Sequence, residues 1–151
     1  MLIVIRPFIR DTGCMVTSPA QGLARLRAAA ESGELVAFCT KHEVRILTVF
    51  GSAARNDPTA HDLDIGIMTE PGADFDIFTA VYELMVLTGV DNVDVAHLNR
   101  GGSLIRERAL VGSVPLYESE PYALAREQTK AMVERMDTDW LRRLDLELMA
   151  G

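Results

Sequence analysis

Apolar residues recur along this chain with two periods, and the switch between them predicts the elements. Leu23, Leu26 and Ala30 follow helical spacing. Ser18 is able to cap that helix, Pro19 suits its first position and Gly33 stops it. A second, shorter helix is expected over residues 34–42. Residues 45–50 are β-branched and apolar and stop at Gly51, which reads as a buried strand. Residues 62–68 alternate polar and apolar positions before Pro71-Gly72 and read as a second strand. Phe75, Phe78, Val81, Tyr82 and Met85 return to helical spacing, and Gly89 ends that segment. Residues 92–98 form a third strand, Arg100 to Ser103 turn the chain, and Ser103 can cap a helix through Leu110. Residues 114–117 are short and extended. From Pro121 to Met149 the pattern is helical, with a break expected near Asp137-Thr138-Asp139.

Strands and helices in this order predict an α+β fold, α/β-like in its alternation, with a small mixed sheet packed by helices. There is no internal repeat and no linker. The expected organisation is an N-terminal extension (1–17) without fixed structure, a main domain (18–118) and a C-terminal helical tail (119–151). For the first residues two readings compete: Leu2 to Ile5 as an edge strand ended by Pro7, or a natural start at Met15 preceded by an unstructured stretch. The second is favoured because a helix start follows directly. The apolar stretch at 2–5 is too short for a signal-peptide core.

Composition narrows the class. With 48% hydrophobic and 25% charged residues, the 151-residue chain is an ordinary globular domain rather than a disordered one. No apolar run is long enough to span a membrane. Fifteen basic against 22 acidic residues leave a net charge of −7, which argues against binding nucleic acid by bulk charge. Cys14 and Cys39 form neither a metal-ligand spacing nor a disulfide framework, so a reducing cytoplasm is expected.

Candidate chemistry concentrates between Val49 and Ile65. A buried strand runs into Gly51-Ser52, and a short helical turn is expected to follow. Glycine lets backbone approach a phosphate, and the N–H groups of the turn with the Ser52 hydroxyl can hold its oxygens. Arg55 sits one turn on, and Asn56 can adopt the left-handed conformation that ends such a turn. Asp62 and Asp64 lie two apart on a strand and so share a face, while Leu63 and Ile65 take the core. Carboxylates this close repel, and a divalent cation removes that cost. Asp94, between Val93 and Val95 on the next strand, could stand beside them. Three carboxylates, a phosphate turn and a metal are the parts of metal-assisted phosphoryl or nucleotidyl transfer.

Taken singly, each feature has a plainer reading. Gly51-Ser52 alone is a strand-ending turn, the aspartates alone are solvated edge residues, and a surface ion pair with Asp57 explains Arg55 equally well. Arg106 and Arg108 read as a solvated helix face. Met132, Met136, Trp140, Leu144 and Leu148 recur every four residues, which fits a helix packed on its own domain or a partner-facing stripe.

The conjunction resembles the DNA polymerase β-type nucleotidyltransferase superfamily: apolar–Gly51–Ser52, nine intervening residues, Asp62–apolar–Asp64–apolar, then apolar–Asp94–apolar. The Gly-Ser-x-Ala-Arg form and the segment Val114 to Glu118 are most similar to its minimal nucleotidyltransferases, many of them antitoxins encoded beside a HEPN-domain ribonuclease toxin. Asn56 stands where relatives often have glycine, and His61 where they often have serine. The resemblance implies a nucleotidyltransferase fold. It implies that Asp62, Asp64 and Asp94 bind two Mg²⁺ with ATP, and that Asp94 helps deprotonate the attacking hydroxyl. Gly51 and Ser52, joined by Arg55, would bind the nucleotide. It implies transfer of AMP from ATP to a tyrosine of a HEPN toxin, in a hetero-oligomer with that toxin. The alternatives are an antitoxin acting by contact alone with a vestigial site, and nucleotidyl transfer to a small molecule such as an aminoglycoside.

Overall fold

The computed structural model describes residues 2–4, as backbone, and 17–151. The elements are β1 (Leu2–Val4), α1 (Pro19–Ser32), α2 (Glu34–Lys41), β2 (Val44–Phe50), α3 (Gly51–Ala54), β3 (Leu63–Thr69), α4 (Ile77–Thr88), β4 (Val93–His97), α5 (Ser103–Leu110), β5 (Val114–Glu118) and α6 (Ala123–Ala150). The expected α+β fold with a mixed sheet is what forms. Among the described residues five strands lie in the order β1-β4-β3-β2-β5. Among the described strands only β3 and β4 are parallel, joined through α4, as a parallel pair requires a crossover. Pro115 sits on the edge strand β5, where a missing N–H costs the ladder least.

Alternation along the strands divides the core between the two faces. Leu47, Val49, Leu63, Ile65, Ile67, Val93 and Val95 point to one side, under α1, α2 and α4. Ile46, Phe50, Met68 and Ala96 point to the other, under α5 and α6. With both faces covered, β2 and β3 are almost entirely buried, which is why their sequences are nearly continuous in apolar residues. A Cβ on Gly66 would lie 2.9 Å from both Ala109 Cβ and Thr48 Oγ1, so glycine here lets α5 sit directly on the sheet. Thr48 Oγ1 then donates to the Ala109 carbonyl at 2.5 Å, satisfying a helix-end acceptor in the core.

Local signals set most boundaries. Ser18 and Gln21 form a reciprocal capping box at the start of α1, and Gly33 closes it at φ 91°. Asp76 caps α4 by accepting from the backbone N–H groups of Phe78 and Thr79, and Gly89 ends it at φ 71°.

Several expectations change. The strand reading holds for Leu2–Val4, which pair antiparallel with β4; the expectations for residues 5–16, Cys14 and Met15 included, lie outside the described residues. Ser103 is the first residue of α5 rather than its cap; Gly102 holds that position without a side-chain bond. Phe75 precedes α4, and Phe78 and Tyr82 are exposed on it, because the helix turns Ala80, Val81, Leu84 and Met85 inward instead.

The largest change is in α6, which runs unbroken through Asp137–Asp139. Arg135 holds Asp139 one turn on at 3.3 Å, and Thr138 Oγ1 returns its hydroxyl to the Glu134 carbonyl, so the polar triplet is held within the helix. Of the tail stripe, Met132, Met136, Trp140 and Leu148 are exposed, which removes the reading in which it packs on its own domain.

Candidate active site

The site forms at the end of the sheet where β2 finishes and β3 and β4 begin. Here β2 delivers Phe50 opposite Asp64, and β4 places Asp94 opposite Asp64 on the other side. Neighbouring strands lie about 4.8 Å apart, so the two aspartates share one short stretch of the face covered by α5 and α6. Asp94 is buried and Asp64 half-buried. Burial, and then the negative charges of Asp94 and Asp62, push the Asp64 carboxyl up to about 6, against a smaller downward pull from Arg55.

Gly51 makes this arrangement possible. Its φ is 73°, a conformation other residues adopt at a cost, and a Cβ there would collide with Asp64 Oδ2. The expected helical turn follows as α3, and Asn56 ends it in the left-handed region at φ 57°. Backbone N–H groups of Asn56 and Asp57 return to the carbonyls of Ala53 and Ser52, which fixes the turn. Asp57 is held by the Thr59 N–H and hydroxyl at 2.8 and 2.7 Å, and these bonds lower its pKa. Among the described residues Arg55 makes no ion pair, so the Asp57 pairing considered for it does not form.

A cavity of about 630 Å³ opens over this end of the sheet. Its wall brings together Gly51, Ser52, Arg55 and Asp64 from the sequence-predicted set. Asp62 and Asp94 are not among the residues that line it; Asp62 lies just before β3, and its Oδ1 accepts from Asn92 Nδ2. Asn92 also donates to the His61 carbonyl at 3.3 Å, so it ties the chain before β3 to the chain before β4. The periodicity could not single out Asn92, because its role depends on the parallel pairing.

Arg108 is the larger surprise. The sequence places it on a solvated face, yet it lines the cavity together with Ile105, Val111 and Gly112. The i,i+3 spacing of Ile105 and Arg108 was the available signal, but only the packing of α5 tells which face meets the site. Its neighbour Arg106 turns away and pairs with Glu134 on α6 at 3.3 Å.

The donors suit a hard divalent cation: they are all carboxylate oxygens, and burial together with the neighbouring Asp94 and Asp62 disfavours the charged form of Asp64. Among the described residues no three acidic, histidine or cysteine side chains converge on a single point. Cys39 is buried, and burial pushes its thiol up to about 12, so it is inert. No helix of the described residues is long and apolar enough to cross a membrane.

Comparison with known proteins agrees with this geometry. No curated protein matches the chain. Among solved structures, it is similar to a chain of a toxin–antitoxin complex determined with AMP-PNP, at 12% identity and a TM-score of 0.62, covering 79% of this chain and 98% of the other. It is likewise similar to a chain from a complex of the tri-AMPylated Shewanella oneidensis HEPN toxin with its MNT antitoxin, at 12% identity and a TM-score of 0.59, covering 83% and 99%. At such identities these likenesses establish the fold. The family model described as polymerase beta, nucleotidyltransferase matches residues 34–122, a span holding β2 to β5 and every residue of the cavity wall. A turn that requires glycine, aspartates paired across parallel strands and a match over more than half the chain lead to one conclusion: this protein belongs to the polymerase β nucleotidyltransferase family.

Proposed function

We propose that the protein moves AMP from ATP onto a tyrosine hydroxyl of a HEPN-type ribonuclease toxin and acts as its antitoxin. The observation that carries this reading is the cavity, where Gly51, Ser52 and Arg55 share one space with Asp64, itself opposite Asp94. Gly51 and Ser52 hold the β- and γ-phosphates, and Arg55 adds positive charge beside them. Asp62, Asp64 and Asp94 are the residues that would hold Mg²⁺, taken as two ions. When bound, Mg²⁺ neutralises the triphosphate and favours deprotonation of the attacking hydroxyl. Asp94 accepts the proton of that hydroxyl. The acceptor oxygen bonds to the α-phosphorus as its bond to the bridging oxygen breaks, and pyrophosphate leaves with the electron pair. The choice of a toxin as acceptor is supported by similarity to complexes of an MNT antitoxin with a HEPN toxin, one of them tri-AMPylated.

The test is the intact mass of a HEPN-type protein encoded beside this one, co-expressed with wild type or with the Asp62→Asn, Asp64→Asn variant. A nucleotide-sized increment with wild type alone is expected, and its size identifies the nucleotide. A second reading, neutralisation by contact alone, draws on the exposed apolar side of α6. It predicts an unmodified partner that co-purifies equally with both variants.

A further inference from the structure

The cavity has a second cationic wall that the nucleotidyltransferase motif does not contain. The motif supplies Gly51, Ser52, Arg55 and Asp64 from the β2–α3–β3 side. The same cavity is also lined by Ile105 and Arg108 from α5 and by Val111 and Gly112 just after it.

Three consecutive residues of α5 separate cleanly by role. Arg106 pairs with Glu134 at 3.3 Å, and Glu107 accepts from Arg135 Nε at 2.7 Å, so both are committed to α6. Arg108 makes no ion pair among the described residues, and it is the one that lines the cavity. A guanidinium without a carboxylate partner, facing a space already provided with phosphate-holding groups, is suited to bidentate recognition of phosphate oxygens.

Its base is also held in place. Next to it, the Ala109 carbonyl accepts from Thr48 Oγ1 in the sheet at 2.5 Å, and the Leu110 carbonyl accepts from Gln128 Nε2 of α6 at 2.8 Å. The helix that carries Arg108 is thus fixed from the sheet and from α6, so little ordering of its backbone remains to be done when an anion binds.

We infer that Arg108 is the residue that recognises the pyrophosphate portion of the nucleotide, holding it as substrate and as leaving group from α5 in the cavity that Gly51 and Ser52 also line. This rests on the nucleotidyltransferase reading and adds to it a residue that the sequence assigns to solvent. In the transfer step the bond from the α-phosphorus to the bridging oxygen breaks and its electron pair goes to pyrophosphate. Arg108 meets that added charge without giving up a proton, since guanidinium stays charged throughout. The α-phosphate and the nucleoside need no contact with it.

The inference separates ligands by their phosphates. Full-length wild type, Arg108→Gln and Arg108→Lys are titrated with ATP, pyrophosphate and AMP in Mg²⁺ buffer, by displacement of a fluorescent ATP analogue. Matched thermal melts check that each variant is folded. Arg108→Gln should weaken ATP and pyrophosphate by about tenfold or more, the scale of a lost charge-assisted phosphate contact, and leave AMP unchanged. Arg108→Lys should recover part of that loss. Wild-type affinity of Arg108→Gln for ATP and pyrophosphate overturns the inference and leaves the nucleotidyltransferase reading standing. An equal loss for AMP overturns it too, because the residue then acts on the whole site. A wild-type protein that binds none of the three ligands removes the nucleotidyltransferase reading and this inference with it.

Discussion

Strands β3 and β4 end differently at their two extremities. Where they finish, polar groups satisfy one another. The Thr69 N–H donates to Asn99 Oδ1 at 2.8 Å, Asn99 Nδ2 returns a bond to the Thr69 carbonyl at 3.0 Å, and Thr69 Oγ1 meets His97 Nε2 at 3.1 Å. Burial holds His97 below its ordinary pKa, and Arg100 adds to that, so the ring favours its neutral form. Where the same strands begin, Asp64 lies opposite Asp94 and two residues from Asp62, and burial, then those two charges, push it up to about 6. One end closes its hydrogen bonds within the fold. The other brings carboxylates close enough that Asp94 and Asp62 add to the effect of burial on Asp64, with Arg55 pulling the other way.

Three substitutions sharpen this contrast. The largest effect is expected from Gly51→Ala at the charged end. It places a Cβ against Asp64 Oδ2 at a positive φ, and should cost about 2 kcal/mol or more in stability while abolishing ATP binding. Chemical denaturation with a nucleotide titration measures both; unchanged ATP binding would mean that the turn and the carboxylate do not share a ligand.

Next is Asn99→Ala at the quiet end. It removes two bonds to Thr69 and should cost about 1–2 kcal/mol with no change in ATP affinity. Loss of ATP binding in a folded Asn99→Ala protein would show that the two ends are coupled.

The smallest effect is a gain. In the folded protein the Asp64 carboxyl titrates at about 6 against an ordinary 3.8, so the folded state binds the proton more tightly than the unfolded one. Stability therefore falls as pH rises from about 4 to 6, and the whole penalty is present above that window. Asp64→Asn should stabilise the metal-free protein by about 1 kcal/mol at pH 7.5, after allowance for solvent screening of a half-exposed group, and by nothing at pH 4. Melts in EDTA at the two pH values test this; equal gains at both would assign the effect to packing rather than charge.

Much of this was legible without coordinates because it is local. Ser18-Pro19, Gly33, Gly89 and the apolar runs at β2, β3 and β4 act within a few residues of themselves, so their spacing suffices to place the elements. The same holds for the turn after β2, where Asn56 was expected in the left-handed conformation and is found there at φ 57°. Asp62 and Asp64 were readable as a pair because they are two residues apart.

What only the tertiary structure decided involves partners far apart in the chain. The opposition of Asp64 and Asp94 follows from parallel pairing across the α4 crossover, which the sequence suggests but does not align. Arg108 faces the cavity because α5 is seated on Gly66 and tied to Thr48, whereas the pattern of α5 alone leaves its faces undetermined. The unbroken course of α6 depends in part on Arg135, which links it to Glu107 on α5. By itself the sequence determined the elements, the short turn after Gly51 and the acidic pair, since these depend on backbone preference and period. The second cationic wall and the apolar face that α6 leaves exposed were decided by packing, because which side of a helix meets the sheet depends on contacts no local pattern contains.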